Sequence, residues 1–267
     1  MIFSSPANRI IDIHSHIIPY VDDGASDMEE ACRLLSEEYK QGVRYIVTTT
    51  HLRYGMFDTD IVKVYEHFCE LQEWLYQSEM SDLELFMSRE YYCDARLEKI
   101  MDGYIRNLET VVFDEKLYYT DDEIRPFGDS KCILLEFSSN RVQSKEFDLF
   151  VDKALEAGLT PIIAHAERYP AVQRRIVDLN KLRSMGAYVQ VNADAIIGKD
   201  DKRISLTARK LVDEGIAEIV ASDCHDLRFR HPSLNKCYSF LKSNYDDSVA
   251  KALLKNNAEK LLFSFQK

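Results

Sequence analysis

Asp12-Ile13-His14-Ser15-His16 sets two imidazoles two residues apart at the end of an apolar run. In an extended chain residues i and i+2 face the same way, so both rings would project from one side of a strand. Neutral imidazole is the commonest metal-ligating side chain, and such a pair makes a pincer. Alone, the pair could be an accident. Other apolar runs repeat the arrangement: VRYIVTTT leads into His51, LELFMSR into Glu90, CILL into Glu136, PIIA into His165 and IVAS into Asp223-Cys224-His225. The turn Val21-Asp22-Asp23-Gly24 adds Asp23. Of the seven histidines, only His67, in a helical stretch, and His231, before Pro232, stand elsewhere and read as structural. Five imidazoles and four carboxylates exceed the needs of one metal ion and suit two or three ions bridged by carboxylate and hydroxide.

Four carboxylates against three divalent ions would leave a local formal charge of about +2, which attracts an anion. Clustered ions also acidify bound water and clamp the oxygens of an in-line displacement, the equipment for phosphoester hydrolysis. Arg53, Arg168 and Arg230 follow His51, His165 and His225 in post-strand loops, where guanidinium groups could grip phosphate oxygens. Mixed nitrogen and oxygen donors without thiolate suit manganese, iron or zinc and do not separate them. A competing motif is Cys224 to Arg230, which has the C-x5-R spacing of thiol-based tyrosine phosphatases. That phosphate loop needs small residues with open backbone N–H groups, and His-Asp-Leu-Arg-Phe contains no glycine. On a strand, Cys224 would also face away from Asp223 and His225, so it reads as a small buried hydrophobe.

The elements that must position these residues follow from a repeated pattern: an amphipathic helix, a glycine, then a β-rich apolar run. Gly42, Gly158, Gly186 and Gly215 mark four copies, each read as helix, left-handed cap and buried strand. Seven strands are predicted, at about 9–14, 43–50, 84–89, 132–137, 160–165, 187–192 and 216–222. Ser26-Asp27-Met28-Glu29 predicts a capping box that opens the first helix at Ser26. Alternating strands and helices imply a parallel sheet, and seven units in 267 residues favour a closed barrel. Six of the seven strands end in a ligand-type side chain, and in a β/α barrel those ends converge on one face. Residues 104–130 are too long for an ordinary connection and read as an insertion or lid. No Pro-, Gly- or Ser-rich linker divides the chain, so residues 1–267 read as one domain.

Composition limits the partners. With 34 Lys and Arg against 45 Asp and Glu, a formal charge of −11 argues against nucleic acid or an anionic membrane. No apolar stretch approaches a membrane span, and MIFSSPANRI lacks the basic start and long apolar region of a signal peptide. Six cysteines without CxxC spacing read as reduced thiols in a cytoplasm.

Asp12-Ile-His14-Ser-His16-Ile-Ile-Pro19, Val21-Asp-Asp-Gly24, PIIAHAERY (161–169) and ASDCH (221–225) resemble one family. It is the manganese-dependent protein-tyrosine phosphatases of capsular and exopolysaccharide loci, within the polymerase-and-histidinol-phosphatase (PHP) superfamily. The resemblance runs from about residue 10 to the C-terminus, and its DDG turn and AHxERY segment are more specific than a bare HxH. It implies a distorted (β/α)7 TIM-like barrel of the PHP fold and three divalent metal ions, manganese first, with iron or zinc as alternatives. It also implies dephosphorylation of the tyrosine-rich tail of the bacterial tyrosine kinase that controls polymer export. Residue by residue, His14, His16, Asp23, His51, Glu90, Glu136, His165, Asp223 and His225 fall on the family's ligand positions. Arg168 and Arg230 fall on positions that hold phosphate, and with Asp23 they form the expected catalytic set.

Three departures stand out. Residues 104–130 are longer than their counterpart, Leu52 and Arg53 follow His51 where many relatives carry a second histidine, and Arg89 precedes Glu90 where a small residue is common. The implied reaction is attack of a metal-bridging hydroxide on phosphotyrosine. Two other functions fit the residues less well: a small-molecule phosphatase of the histidinol-phosphate type, which the DDG turn disfavours, and a metal-stabilised docking domain without activity.

Overall fold

The computed structural model describes residues 9–109, 124–128, 130–140 and 142–263. Seven apolar runs become strands: β1 (Ile10–Ser15), β2 (Val43–Leu52), β3 (Glu84–Tyr92), β4 (Cys132–Glu136), β5 (Thr160–Ile163), β6 (Tyr188–Asn192) and β7 (Ile219–Ala221). They lie side by side in chain order, each parallel to the next. β1 and β7 share no ladder. They meet at an isolated bridge, Ser15 to Cys224, and through hydrogen bonds from His16 N to Cys224 O (2.9 Å) and Asp223 N to His14 O (2.8 Å). The result is a nearly closed barrel with a seam, the distorted (β/α)7 form expected.

Strand alternation sorts the apolar side chains into two layers. Ile11, Ile13, Val47, Leu134, Ile162, Ile219 and Ala221 point into the barrel, where Leu261 and Leu262 of the C-terminal helix join them. Ile10, Ile46, Ile133, Leu135, Ile163, Val189 and Val220 point out, beneath the surrounding helices. Those helices begin with α1 (Met28–Lys40), α2 (Ile61–Tyr76), α3 (Ala95–Glu109) and α4 (Ser144–Glu156). After β5 come α5 (Pro170–Arg174), α6 (Val177–Met185), α7 (Ala193–Ile197) and α8 (Lys202–Asp213); α9 (Leu234–Asn244), α10 (Asp247–Lys251) and α11 (Asn257–Phe263) follow β7. In α1 the inner face buries Leu34 and Leu35 completely, worth ~1.5–3 kcal/mol each.

One irregularity decides where the first imidazoles point. β1 shifts register against β2 between Asp12 and Ser15: Asp12 pairs with Ile46 and Ser15 with Thr48, three residues against two. This bulge breaks the alternation. Without it His14 and His16 would share the outer face with Asp12; with it they turn into the barrel while Asp12 meets Glu38 of α1.

Local expectations are mostly met, with three corrections. The repeat glycines all take positive φ, from 64° at Gly215 to 118° at Gly186. The first helix is capped by Asp27, not Ser26: Asp27 accepts from Glu30 N, and Glu30 reaches back to Ser26 N and Oγ (3.0 and 2.7 Å). The box is shifted by one residue. β7 is shorter than expected, because Ile216 and Ala217 N–H groups bond Leu211 O (2.8 and 2.9 Å) in closing α8 instead of joining a ladder. β5 stops at Ile163, so His165 lies beyond its strand. Of the expected insertion at 104–130, residues up to Glu109 continue α3, and most of the remainder lies outside the described residues.

Candidate metal centre

The C-terminal ends of the strands bring all nine sequence-predicted ligand residues together. His14 comes from β1, His16 from just past its end, Asp23 from the following loop, His51 from β2 and Glu90 from β3. Glu136 ends β4, His165 follows β5, and Asp223 and His225 follow β7. Four overlapping groups, each with its ligand atoms within 4.8 Å of one another, take in all nine: His16, Asp23, His51 and His225; His14, Glu90 and His165; His14, His16 and Asp223; His51, Glu90 and Glu136. His51 and Glu90 are direct cross-strand partners.

Glu90 is the hub. Its Oε1 lies 2.9 Å from His165 Nε2. Its Oε2 lies 3.3 Å from His14 Nε2, 3.3 Å from His16 Nε2 and 3.0 Å from His51 Nδ1, yet forms a hydrogen bond with none of them. His14 Nε2 and His16 Nε2 face each other at 3.2 Å, with Asp223 Oδ1 3.3 and 3.6 Å away. Asp23 Oδ1 stands 3.4 Å from both His51 Nε2 and His225 Nε2. His51 Nδ1, Glu136 Oε2 and His225 Nε2 are likewise buried without a hydrogen-bond partner. Buried polar atoms normally find partners, and a convergent set of orphaned nitrogen and oxygen lone pairs is what a cation fills. The donor set fits divalent ions.

The electrostatics agree. Burial alone would lower the His14 and His51 imidazoles, but Glu90, with Asp223 beside His14, raises them to about 9 and about 10. Burial works against an ionised Glu90 and is outweighed by His14 and His51, which hold it well below the usual range. Asp223 is held down in the same way, against burial, by Arg230, His14 and Arg168. Burial and the neighbouring Glu90 push Glu136 up to about 8. His225 falls to about 4 through burial and the nearby His16. Protons hold this cluster together where ions would, so metal and proton compete for it.

Side chains behind the ligands fix their orientation. Asp22 accepts from His16 Nδ1 (2.9 Å), His51 N (2.9 Å) and Gly24 N (3.0 Å), which leaves His16 Nε2 turned inward. His225 Nδ1 lies 3.0 Å from Asp223 O, leaving its Nε2 for the site. Gln190 Oε1 takes His165 N (2.6 Å) and faces His14 Nδ1 (3.2 Å), while its Nε2 donates to Asn192, whose Nδ2 donates to Asp223 Oδ2 (both 2.7 Å). Gly24 is required by space: a Cβ there would lie 2.1 Å from His16 O. His165 and Asp223 adopt positive φ, 30° and 53°, a conformation that L-residues rarely adopt and that gathers at functional sites.

The three arginines divide. Arg168 Nη1 and Arg230 Nη2 both hold Asp223, at 3.1 and 2.7 Å, and both are partly exposed. Arg53 instead lies over the Tyr92 ring, 4.1 Å from its centroid. Arg89 points away from the cluster, with Nη2 donating to Thr59 O (2.7 Å), so it leaves Glu90 undisturbed. Cys224 is buried on the helix side, and burial, with Glu38 and Asp12 nearby, raises its thiol well above the ordinary range. His67 pairs with Glu70, and His231 with Lys199. Sequence reasoning missed Asp22, Gln190 and Asn192. The last two had a signal: YVQVN puts both amides on one face of β6, the strand that had no ligand.

The family model for capsular polysaccharide synthesis, CpsB/CapC, matches residues 10–263. The chain is 34% identical over 259 residues to the tyrosine-protein phosphatase CpsB of Streptococcus pneumoniae, covering 95% of this chain and 98% of that one. It is 30% identical over 266 residues to tyrosine-protein phosphatase CpsB of Streptococcus agalactiae, with the same coverage, 95% and 98%. Crystallography of YwqE from Bacillus subtilis and CpsB from Streptococcus pneumoniae, described as unique metal-dependent tyrosine phosphatases, supplies a matching chain. It superposes with a TM-score of 0.79 at 26% identity, covering 95% of this chain and 94% of the other.

Proposed function

We propose that this chain, which belongs to the capsular polysaccharide synthesis CpsB/CapC family, uses the histidine and carboxylate cluster at the strand ends to hydrolyse phosphotyrosine. It is a metal-dependent tyrosine-protein phosphatase, like the relatives that carry that name. His14, His16, Asp23, His51, Glu90, Glu136, His165, Asp223 and His225 are assigned as ligands for three divalent ions, manganese first and iron or zinc as alternatives. The observation that carries this reading is Glu90 Oε2, buried among three imidazole nitrogens and hydrogen-bonded to none.

Divalent ions, when bound, lower the pKa of water and neutralise charge on phosphoryl oxygens. The chain's own residues arrange the rest. Arg168 and Arg230 each give one nitrogen to Asp223. A guanidinium carries five N–H donors, which leaves others for the phosphoryl group as charge develops on it. Asp23 is half exposed, and although burial opposes ionisation, His225 and His51 keep its carboxyl below the usual range. It is therefore a carboxylate, suited to hold a cation. Arg53, stacked on Tyr92, adds positive charge at the rim near Glu136.

The substrate is assigned as phosphotyrosine on a protein, specifically the tyrosine-rich tail of a bacterial tyrosine kinase that controls polymer export, met in the cytoplasm by a single-domain enzyme. Among the described residues no helix is long and apolar enough to cross a membrane. The test is hydrolysis of an aryl phosphate with manganese, with chelator and with a thiol alkylator. Chelator should abolish activity and alkylator should spare it; the reverse pattern would transfer the chemistry to Cys224. A competition between a phosphotyrosine peptide and histidinol phosphate should be won by the peptide.

A further inference from the structure

We propose that Asp12, backed by Glu38, is a positioning residue for the metal centre: its carboxylate fixes the bulge that turns His14 into the barrel and clasps the seam between β1 and β7. The proposal rests on the metal-centre reading above and assigns a role to residues outside the ligand set.

Asp12 is wholly buried, on the face of β1 opposite the cluster. Its Oδ1 accepts from His14 N (3.3 Å), within the bulge, and from Ser222 N (3.0 Å), across the seam. Its Oδ2 accepts from Ser222 Oγ (2.5 Å), and that hydroxyl accepts in turn from Cys224 N (3.1 Å). Every other pair of neighbouring strands is joined by a backbone ladder. Here, where the ladder is missing, one carboxylate bonds two amide groups and a hydroxyl on both strands.

The ligands lie on either side of this joint. His14 belongs to β1 and His16 follows it, while Asp223 and His225 follow β7. His14 Nε2 and Asp223 Oδ1 face each other across it at 3.3 Å. A slip at the seam would therefore separate the β1 ligands from the β7 ligands.

Glu38 completes the clasp from α1. It is fully buried, neither oxygen has a hydrogen-bond partner, and its carboxyl, the Asp12 carboxylate and the Cys224 thiol approach within 4.8 Å of one another. Two buried carboxyl groups this close cannot both ionise. The three donors lie on Asp12, and Glu38, with the Cys224 thiol and the Ser222 hydroxyl as polar neighbours, packs behind it. Glu38, fully buried, closes the helix side of Asp12 to water.

The test compares Asp12→Ala, Asp12→Asn, Ser222→Ala, Glu38→Ala and Glu38→Gln by manganese retained per chain after dialysis, the Mn(II) electron paramagnetic resonance spectrum, and kcat and KM on an aryl phosphate. Thermal melts serve as the folding control. Loss of support behind a metal ligand typically weakens metal affinity or activity about 10–100-fold. Ser222→Ala, the mildest change, should remain folded, bind manganese at least about tenfold more weakly and lose kcat with little change in KM. Asp12→Ala should lose more, and Asp12→Asn, which keeps the Oδ1 acceptor, should recover some of it. Glu38→Gln should match the parent, and Glu38→Ala should not.

Folded Asp12→Asn and Ser222→Ala proteins with the parent's metal affinity, spectrum and kcat would overturn the proposal. So would an additional metal ion that Glu38→Gln removes, since the cluster would then be a cation site in its own right. A parent protein that retains no metal and ignores chelator would instead refute the metal-centre reading, and the proposal with it.

Discussion

Replacing Gly24 with alanine tests how tightly the loop after β1 holds the cluster. A Cβ at this position would sit 2.1 Å from His16 O and 2.6 Å from His16 Cβ, and contacts shorter than 3.0 Å essentially never occur. Neither neighbour is a flexible side-chain end. The loop cannot swing away freely, because Ala25 N donates to His16 O (3.1 Å) and Gly24 N to Asp22 (3.0 Å). Relief therefore moves His16 relative to the loop by about 0.9 Å, enough for the ~100-fold loss that a misplacement of about 1 Å can produce. Its Nε2 now lies 3.2 Å from His14 Nε2, 3.3 Å from Glu90 Oε2 and 3.6 Å from Asp223 Oδ1. Such a shift is of the order of the tolerance of a metal site, so kcat/KM should fall about 100-fold, or about 2.7 kcal/mol of barrier. Overpacking should cost stability as well, about 1–3 kcal/mol. The assay is aryl phosphate hydrolysis at saturating manganese, with metal content and the melting curve measured on the same sample. Parent-like kcat/KM at full metal occupancy would refute the argument that the glycine exists to admit His16.

Three further outcomes are expected. Glu90→Gln removes the charge at the hub and should lower kcat together with loss of bound metal, read by metal analysis after dialysis; retained metal and activity would displace Glu90 from the centre. In metal-free protein, His14 and His51 are raised from 6.5 to about 9 and about 10, so the stability they contribute is fully present below pH 6.5 and is lost as pH rises through 9 and 10. Melting temperature should fall over that window, and manganese should bind more tightly across it as protons leave; an apo-protein that gains stability from pH 6.5 to 10 would contradict the assigned couplings. Finally, Phe229, 87% exposed, and Tyr54, 63% exposed, stand on the loops that carry Arg230 and Arg53. Replacing both with alanine should raise KM for a phosphotyrosine peptide about tenfold, half the worth of burying one aromatic side chain, and leave KM for a small aryl phosphate unchanged; equal effects on both would remove the rim from peptide recognition.

The clustering of the nine predicted residues was legible in the sequence because they sit at a fixed place in a repeating unit. His51, Glu90, Glu136 and His165 each follow an apolar run, and the fold brings such ends together whatever the loops between them do. The residues that aim the ligands left a weaker trace. Asp22 lies beside Asp23, and nothing in the order of two aspartates says that one carboxylate is buried under His16 and His51 while the other is half exposed at the mouth. Gln190 and Asn192 are amides, common on any strand, and only their shared face hinted at a role. The shift of the helix cap from Ser26 to Asp27 is the one-residue ambiguity of adjacent capping residues.

β1 shows where pattern reasoning meets its physical limit. Alternation correctly puts His14 and His16 on one side, but the same rule puts Asp12 with them, and the structure does not. The bulge between Asp12 and Ser15 is the device that separates them. Its cause is tertiary: the bonds that Asp12 makes to Ser222 come from a strand more than two hundred residues away. With the proposed ions bound, a chain carrying −11 would present a cationic pocket to an anionic substrate. Four of its carboxylates, Asp23, Glu90, Glu136 and Asp223, face the histidine cluster inside the barrel. A fifth, Asp12, is excluded from that face and spends its charge on backbone amides and a hydroxyl. Had the alternation held, His14 and His16 would have stayed with Asp12 on the outer face of β1, away from Glu90, Asp223 and His225.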